Sequence, residues 1–215
     1  MILIYPPAKK NNMLYFSKFR LGIGWNEVLP LTIDTEVFLL GENKKIISDD
    51  YFVFYNSEKK VSSNDLSTIV SSLLCSNKER FKIGLRPVDP ELSIVGPIDT
   101  CVDNAPENED IDIIDIDLDK VRLEVQEIIF TASVYEYNID KKFTFGRIEN
   151  LYFRLFKDCD SEVGKEDYRY YLTEDYSTCA SIELCRIYRF KEKWKIEVLG
   201  IGHKGGLEEL VEKFT

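Results

Sequence analysis

Imidazole is almost missing from this 215-residue chain, in which His203 is the only histidine. Metal sites built on several imidazoles are thereby excluded, and a Ser-His-Asp triad would rest on one residue with no nucleophile motif to support it. The five cysteines, Cys75, Cys101, Cys159, Cys179 and Cys185, are scattered, odd in number and without a C-x-x-C pair. That pattern suits isolated thiols in a reducing compartment, not a disulfide framework or a zinc site. No apolar run reaches membrane-spanning length, so no direct membrane insertion is expected. The opening MILIYPPAKK places its apolar residues before its lysines, the reverse of a secretory leader, and a cytoplasmic location is expected. Basic residues are missing from one long stretch: between Pro87 and Asp119 there are eleven acidic residues and no Lys or Arg. The formal net charge is −10, so the rest of the chain comes to +1, that is −10 minus −11. Phosphate binding needs clustered Lys and Arg, so this acidity argues against a nucleic-acid partner.

What is present is enough for a core. At 44% hydrophobic and 13% aromatic residues, the chain has the material for one domain, with or without an insertion. Strand patterns dominate. Val37 to Leu40 is a short apolar run closed by Gly41-Glu42-Asn43, and Tyr51 to Tyr55 is an aromatic one. Ile114, Ile116 and Leu118 share one face of a strand, and Asp115, Asp117 and Asp119 the other, which is expected to face water. Ile128 to Tyr135, Leu151 to Leu155 and Tyr168 to Leu172 continue the rhythm. Ser181 to Phe190 and Trp194 to Val198 read as a hairpin through Lys191-Glu192-Lys193. Helical spacing occurs twice, at Leu66, Ile69, Val70, Leu73 and Leu74, and at Leu207, Leu210, Val211 and Phe214. Many short strands with few helices predict a mainly β fold, a two-sheet β-sandwich. Gly22-x-Gly24 lacks the context of a nucleotide loop and reads as a place of close packing or a bulge. Trp25 and Trp194 read as core residues, and His203 as structural or exposed.

The C-terminal run Tyr171-Leu172-Thr173-Glu174-Asp175-Tyr176-Ser177-Thr178, then Ile187-Tyr188-Arg189, Trp194-Lys195 and Gly200-Ile201-Gly202-His203-Lys204-Gly205-Gly206-Leu207, resembles the end of the TerD-type tellurium-resistance and calcium-binding stress proteins. Upstream, Leu21-Gly22-Ile23-Gly24-Trp25, Val37-Phe38-Leu39-Leu40 and the run from Ser48 to Asn56 resemble the same family in the same order. Asp103-Asn104, Asp117-Leu118-Asp119-Lys120-Val121 and Phe145-Gly146 extend the match, which covers about residues 20 to 57 and 101 to 214.

The resemblance implies a β-sandwich whose loops gather carboxylate and amide oxygens around calcium, the one cofactor expected. The metal ligands it implies are Asp34, Asn56, Asp103, Asn104, Asp110 and Asp112. Two departures from the family pattern stand out. Thr32-Ile33-Asp34 replaces an Asp-x-Asp pair, and the run from Ala105 to Asp112 has no glycine to turn its carbonyls inward. Residues 58–100 fit the family poorly and read as an insertion in a single 1–215 domain, carrying one helix and peripheral to the sandwich. The implied role is stress resistance by ion-dependent binding and assembly without catalysis, with other stress-complex proteins as partners, membrane-bound relatives among them. Two rivals remain: a metal-independent interaction module, and an enzyme using a carboxylate such as Glu174 or Asp175 as acid or base.

Overall fold

The computed structural model describes residues 3–4, 12–27, 32–62, 85–98, 110–135, 143–157 and 168–215. Within them the chain forms strands β1 (Leu3–Ile4), β2 (Asn12–Met13), β3 (Lys18–Glu27), β4 (Thr32–Leu40), β5 (Phe52–Val53), β6 (Lys60–Ser62) and β7 (Leu85–Pro87). There follow β8 (Ile94–Val95), β9 (Asp112–Asp117), β10 (Glu127–Tyr135), β11 (Ile148–Phe156), β12 (Tyr168–Tyr171), β13 (Ser181–Phe190) and β14 (Lys193–His203). Helix α1 (Leu207–Phe214) closes the chain, at the position its apolar spacing predicts. The helix expected over Leu66 to Leu74 lies outside the described residues.

Two sheets carry the architecture. One has the order β1-β12-β11-β3-β9-β8 and the other β2-β14-β13-β10-β4-β5; β6 and β7 pair separately. The described pairings are antiparallel except β1 with β12. Alternation along each strand decides the layers. Phe19, Leu21 and Ile23 of β3, Ile114 and Ile116 of β9, and Leu151, Phe153 and Leu155 of β11 point inward from the first sheet. Ile33, Val37 and Leu39 of β4, Ile128, Phe130 and Ala132 of β10, and Ile182 and Leu184 of β13 meet them from the second. The expected β-sandwich is therefore the observed fold, with Trp25 in this core and Trp194 packed against it.

The outer face of the second sheet is covered by α1. Leu210 and Phe214 pack on Phe38, Leu40 and Ile129, and Phe38 stacks on Phe52 with ring centroids 4.4 Å apart. His203 joins the two layers, its Nε2 lying 2.5 Å from the buried Glu183 and its Nδ1 3.2 Å from Glu209 of the helix. Lys213 also reaches Glu183. The β13–β14 hairpin is tighter than expected: Phe190 pairs with Lys193, leaving a two-residue turn in which Lys191 takes φ of +58°.

The outer face of the first sheet overturns one expectation. Asp115 and Asp117 face away from the core as their alternation requires, yet both are buried; only Asp119 is exposed. The reason is a set of cations that the acidic stretch itself does not contain. Arg20 of β3 donates from Nε to Asp115 at 2.6 Å, and Arg86 of β7 donates to its other oxygen at 2.5 Å. Arg86 also donates to the carbonyls of Gly96, Val95 and Ile113 at 2.6, 3.0 and 2.9 Å. Asp117 is flanked by Lys18 and Lys120 at 3.5 and 3.7 Å.

The 58–100 segment is accordingly no mere periphery where it is described. Besides Arg86, it supplies β8, which pairs with β9, and Ile94, which is fully buried in the main core. Asp89 ties its turn, accepting from the Ile94 N–H at 2.7 Å and the Ser93 hydroxyl at 2.9 Å. Glu91 binds it to the neighbouring loop by accepting from the Tyr51 hydroxyl at 2.9 Å.

Removing one partner of a buried ion pair leaves the other charge uncompensated. Arg86→Met should therefore cost about 3–5 kcal/mol, read as a lowered urea midpoint. Asp119→Ala, which removes only the exposed contact with the Ser17 hydroxyl at 2.8 Å, should stay within about 1 kcal/mol of the parent. Equal losses would contradict the buried clamp.

Candidate functional site

The expected ligands do not face one point. Alternation puts Asp112, first residue of β9, on the inward side with Ile114 and Ile116, at the mouth between the sheets. There the Thr35 hydroxyl of β4 donates to Asp112 Oδ2 at 2.9 Å, linking the two sheets. Asp34 is on the opposite side of β4, with Glu36 and Phe38, on the outer face of the second sheet.

Asp110 lies over the outer face of the first sheet and is fully engaged. Arg154 Nε donates to both of its oxygens at 2.8 Å, Arg154 Nη2 donates to Oδ2 at 2.5 Å, and the Tyr152 hydroxyl donates to Oδ1 at 3.1 Å. Its place explains Gly22: a Cβ there would lie 2.5 Å from the Asp110 carboxyl carbon, so only glycine leaves room. Close packing is thus what the Gly22-x-Gly24 pair provides, Gly24 giving the same clearance to Tyr152. Arg169 completes the layer, stacking over Tyr152 at 4.7 Å and donating to the Tyr171 hydroxyl at 3.1 Å.

Asn56 is exposed in the turn closed by Ser57 N–H to Phe54 O, beside Tyr55, whose ring meets Tyr135 edge-on at 5.9 Å. Asp103 and Asn104 lie outside the described residues. Among the described residues no group of three or more His, Cys, Asp or Glu side chains is arranged to hold a metal ion. Calcium takes six to eight oxygens, and the described part of this end offers Asp112 between the sheets and Asp34 on the outer face of the second, with Asp110 committed to Arg154. The donor chemistry suits a hard cation, but any further ligands would come from elsewhere, Asp103 and Asn104 being those the sequence proposes.

One consequence was not suggested by periodicity. Glu36 is completely buried on the outer face of the second sheet, accepting from the Thr131 hydroxyl of β10 at 2.5 Å and also from Ser133. Burial, opposed by those two hydrogen bonds and reinforced by the charges of Asp34 and Asp112, pushes its carboxyl up to about 8. The only sequence signal was a Glu in an apolar strand facing Thr131 and Ser133, visible once β4 and β10 are known to pair.

Glu174 and Asp175, the carboxylates of the enzyme reading, line a cleft of about 240 Å³ with Phe145, Asn150 and Tyr176. Glu174 accepts from the Tyr176 hydroxyl at 3.0 Å and the Thr173 N–H at 3.1 Å. Asp175 accepts from the Ser177 N–H at 2.9 Å, and hydrogen bonds from Ser177 hold it below the usual carboxylate range. Cys179 and Cys185, the cysteines described, are free thiols, and burial pushes Cys185 up.

A carboxyl raised in the folded state binds a proton that the unfolded chain releases, so its favourable contribution is intact below about 4.5 and lost as pH rises through about 8. Glu36→Gln should therefore flatten the fall in stability across that window, where the parent loses up to about 1.4 kcal/mol per pH unit. In thermal melts the variant should match the parent near pH 4 and exceed it at pH 9. Parallel curves would show that Glu36 is ionised in the fold.

Comparison with known proteins agrees with this architecture. The TerD domain model matches residues 9–214. The chain is 27% identical over 212 residues to the tellurium resistance protein TerD of Serratia marcescens, covering 97% of this chain and 88% of that one. It is 24% identical over 203 residues to general stress protein 16U of Bacillus subtilis, covering 92% and 87%. The crystal structure of a homologue of the telluride resistance protein TerD from Streptomyces coelicolor superposes with a TM-score of 0.61 at 9% identity, covering 91% of this chain and 95% of that one, a likeness of fold. The chain belongs to the TerD domain family, whose relatives carry the names of tellurium-resistance and stress-response proteins.

Proposed function

We propose that this protein is a non-enzymatic, calcium-responsive member of the stress-response family, working in the cytoplasm by binding and assembly. The observation that carries the reading is Asp112: it stands at the mouth of the sandwich, held by Thr35 of the other sheet. It also lies within the most acidic stretch of the chain. A hard cation at Asp112 would neutralise its charge and, with Thr35 already bonded to it, fix the ends of β4 and β9 together. Asp103 and Asn104 would complete its coordination, and Asp110 would remain the anchor of Arg154. The ordered end would then present a surface to other proteins of a stress complex.

The metal-independent module is favoured by a specific observation too, the withdrawal of Asp110 from the proposed ligand set. Calorimetric titration of metal-stripped protein decides between them. Calcium should bind, with magnesium weaker because its octahedral demand is stricter. Asp112→Asn should weaken calcium by at least about tenfold, the scale of one lost charged ligand, whereas Asp50→Asn, in the exposed pair with Lys59, should leave it unchanged. No calcium heat from the parent protein would leave the interaction module as the reading.

A further inference from the structure

The end of the sandwich opposite Asp34 and Asp112 carries an unusual concentration of exposed apolar side chains. Tyr15 is 81% exposed, Leu123 80%, Phe190 41% and Ile47 40%. They are neighbours through a chain of contacts. Leu14 N–H donates to Trp194 O at 2.9 Å, placing Tyr15 beside the β13–β14 hairpin, where Lys193 Nζ lies 6.0 Å from its ring. Arg189 donates to the carbonyls of Val125, Val121 and Arg122 at 2.9, 3.1 and 3.1 Å, drawing the loop that carries Leu123 against the same hairpin. Leu123 and Ile47 line one open groove.

Cations surround these groups. Lys195 Nζ lies 3.6 Å from the Phe190 ring centre and Lys191 Nζ 5.7 Å; Lys157 covers Phe16 at 4.2 Å and Arg189 covers Trp194 at 4.2 Å. Among the described residues the acids at this end include Glu192 in the turn, Glu124 and Glu42 in the groove, and Asp119, which accepts from the Ser17 hydroxyl; Glu124 is paired with Arg122 at 3.3 Å. In a chain of net charge −10 such a tip is a local exception. β13 has ten residues, so the acidic mouth is about 33 Å away, several times the ~8 Å Debye length of physiological salt. The tip therefore meets a charged surface with its own sign.

We propose that this end is a peripheral docking surface for an anionic lipid bilayer, with Phe190, Tyr15 and Leu123 entering the headgroup layer and Lys191, Lys193 and Lys195 meeting its phosphates. Apolar and aromatic groups beside a two-residue turn, with lysine ammonium groups 3.6 to 6.0 Å from the ring centres, match the composition of interfacial anchors. Single-stranded nucleic acid fits less well, because bases stack on open ring faces and here cations already occupy them. Charge complementarity with the acidic mouth of a second copy is the competing occupant.

Co-sedimentation of the full chain in EDTA with vesicles of phosphatidylcholine containing about 30% phosphatidylglycerol tests this. EDTA keeps the outcome separate from the calcium reading. The parent protein should pellet with these vesicles at about 0.15 M NaCl, lose that binding at about 0.5 M, and ignore pure phosphatidylcholine. Lys191→Glu with Lys193→Glu, and separately Phe190→Ser, should each weaken binding at least about tenfold with unchanged melting. Lys204→Glu, at the other end of β14, should not. The proposal is overturned if the parent ignores anionic vesicles or if the tip variants bind as it does. It is equally overturned if sedimentation velocity shows tip-dependent self-association that accounts for the pellet without lipid.

Discussion

Asp115 is the charge around which the first sheet is organised. Alternation forces it out of the apolar core, the packing above β9 then buries it, and Arg20 and Arg86 compensate its charge from either side. Those arginines come from β3 and β7, far apart in sequence, and Arg86 spends its remaining donors on three backbone carbonyls. A buried carboxylate with two guanidinium partners is costly to form and more costly to break. It therefore specifies which strands may sit beside β9. Asp110 with Arg154 repeats the device one strand away, and Gly22 provides the space for it.

The concentration of acid between Pro87 and Asp119 thus serves more than one purpose. Asp89 closes a turn, Glu91 holds Tyr51, Asp110 and Asp115 neutralise arginines, and Asp117 lies among lysines. Asp112, at the mouth, accepts from Thr35 of the other sheet. The opposite end is apolar and basic around Phe190. A sandwich polarised in this way separates an ion-responsive end from a contact end by the length of its strands. Both ends are fixed by the same sheet, since β10 and β13 run from one to the other.

The layers of the fold were legible because period-two alternation is a local property. Ile128 to Tyr135 and Ser181 to Phe190 could be read as strands from their own residues, and α1 from its apolar stripe after Gly205-Gly206. The partners of the charges were not legible in the same way. Asp115 reads as solvated until Arg86 is known to lie above it, and they are 29 residues apart in sequence. The long β3 strand carried a signal that went unread, the alternation of Phe19, Leu21, Ile23 and Trp25 with Lys18, Arg20, Gly22 and Gly24. Family resemblance supplied the architecture and a ligand set. It could not show that Asp34, Asp110 and Asp112 occupy three different faces, because that depends on strand register.

One acidic stretch divides its labour, with structural carboxylates along β9 and a cation-responsive Asp112 at its start. Amide chemical-shift mapping during calcium titration of the labelled chain tests it directly. The account predicts that perturbations concentrate at Asp34, Thr35, Asp112 and Ser133, while the amides of Asp115 and Asp117 stay in place. Shifts centred on Asp115 and Asp117, or spread evenly along β9, would contradict it.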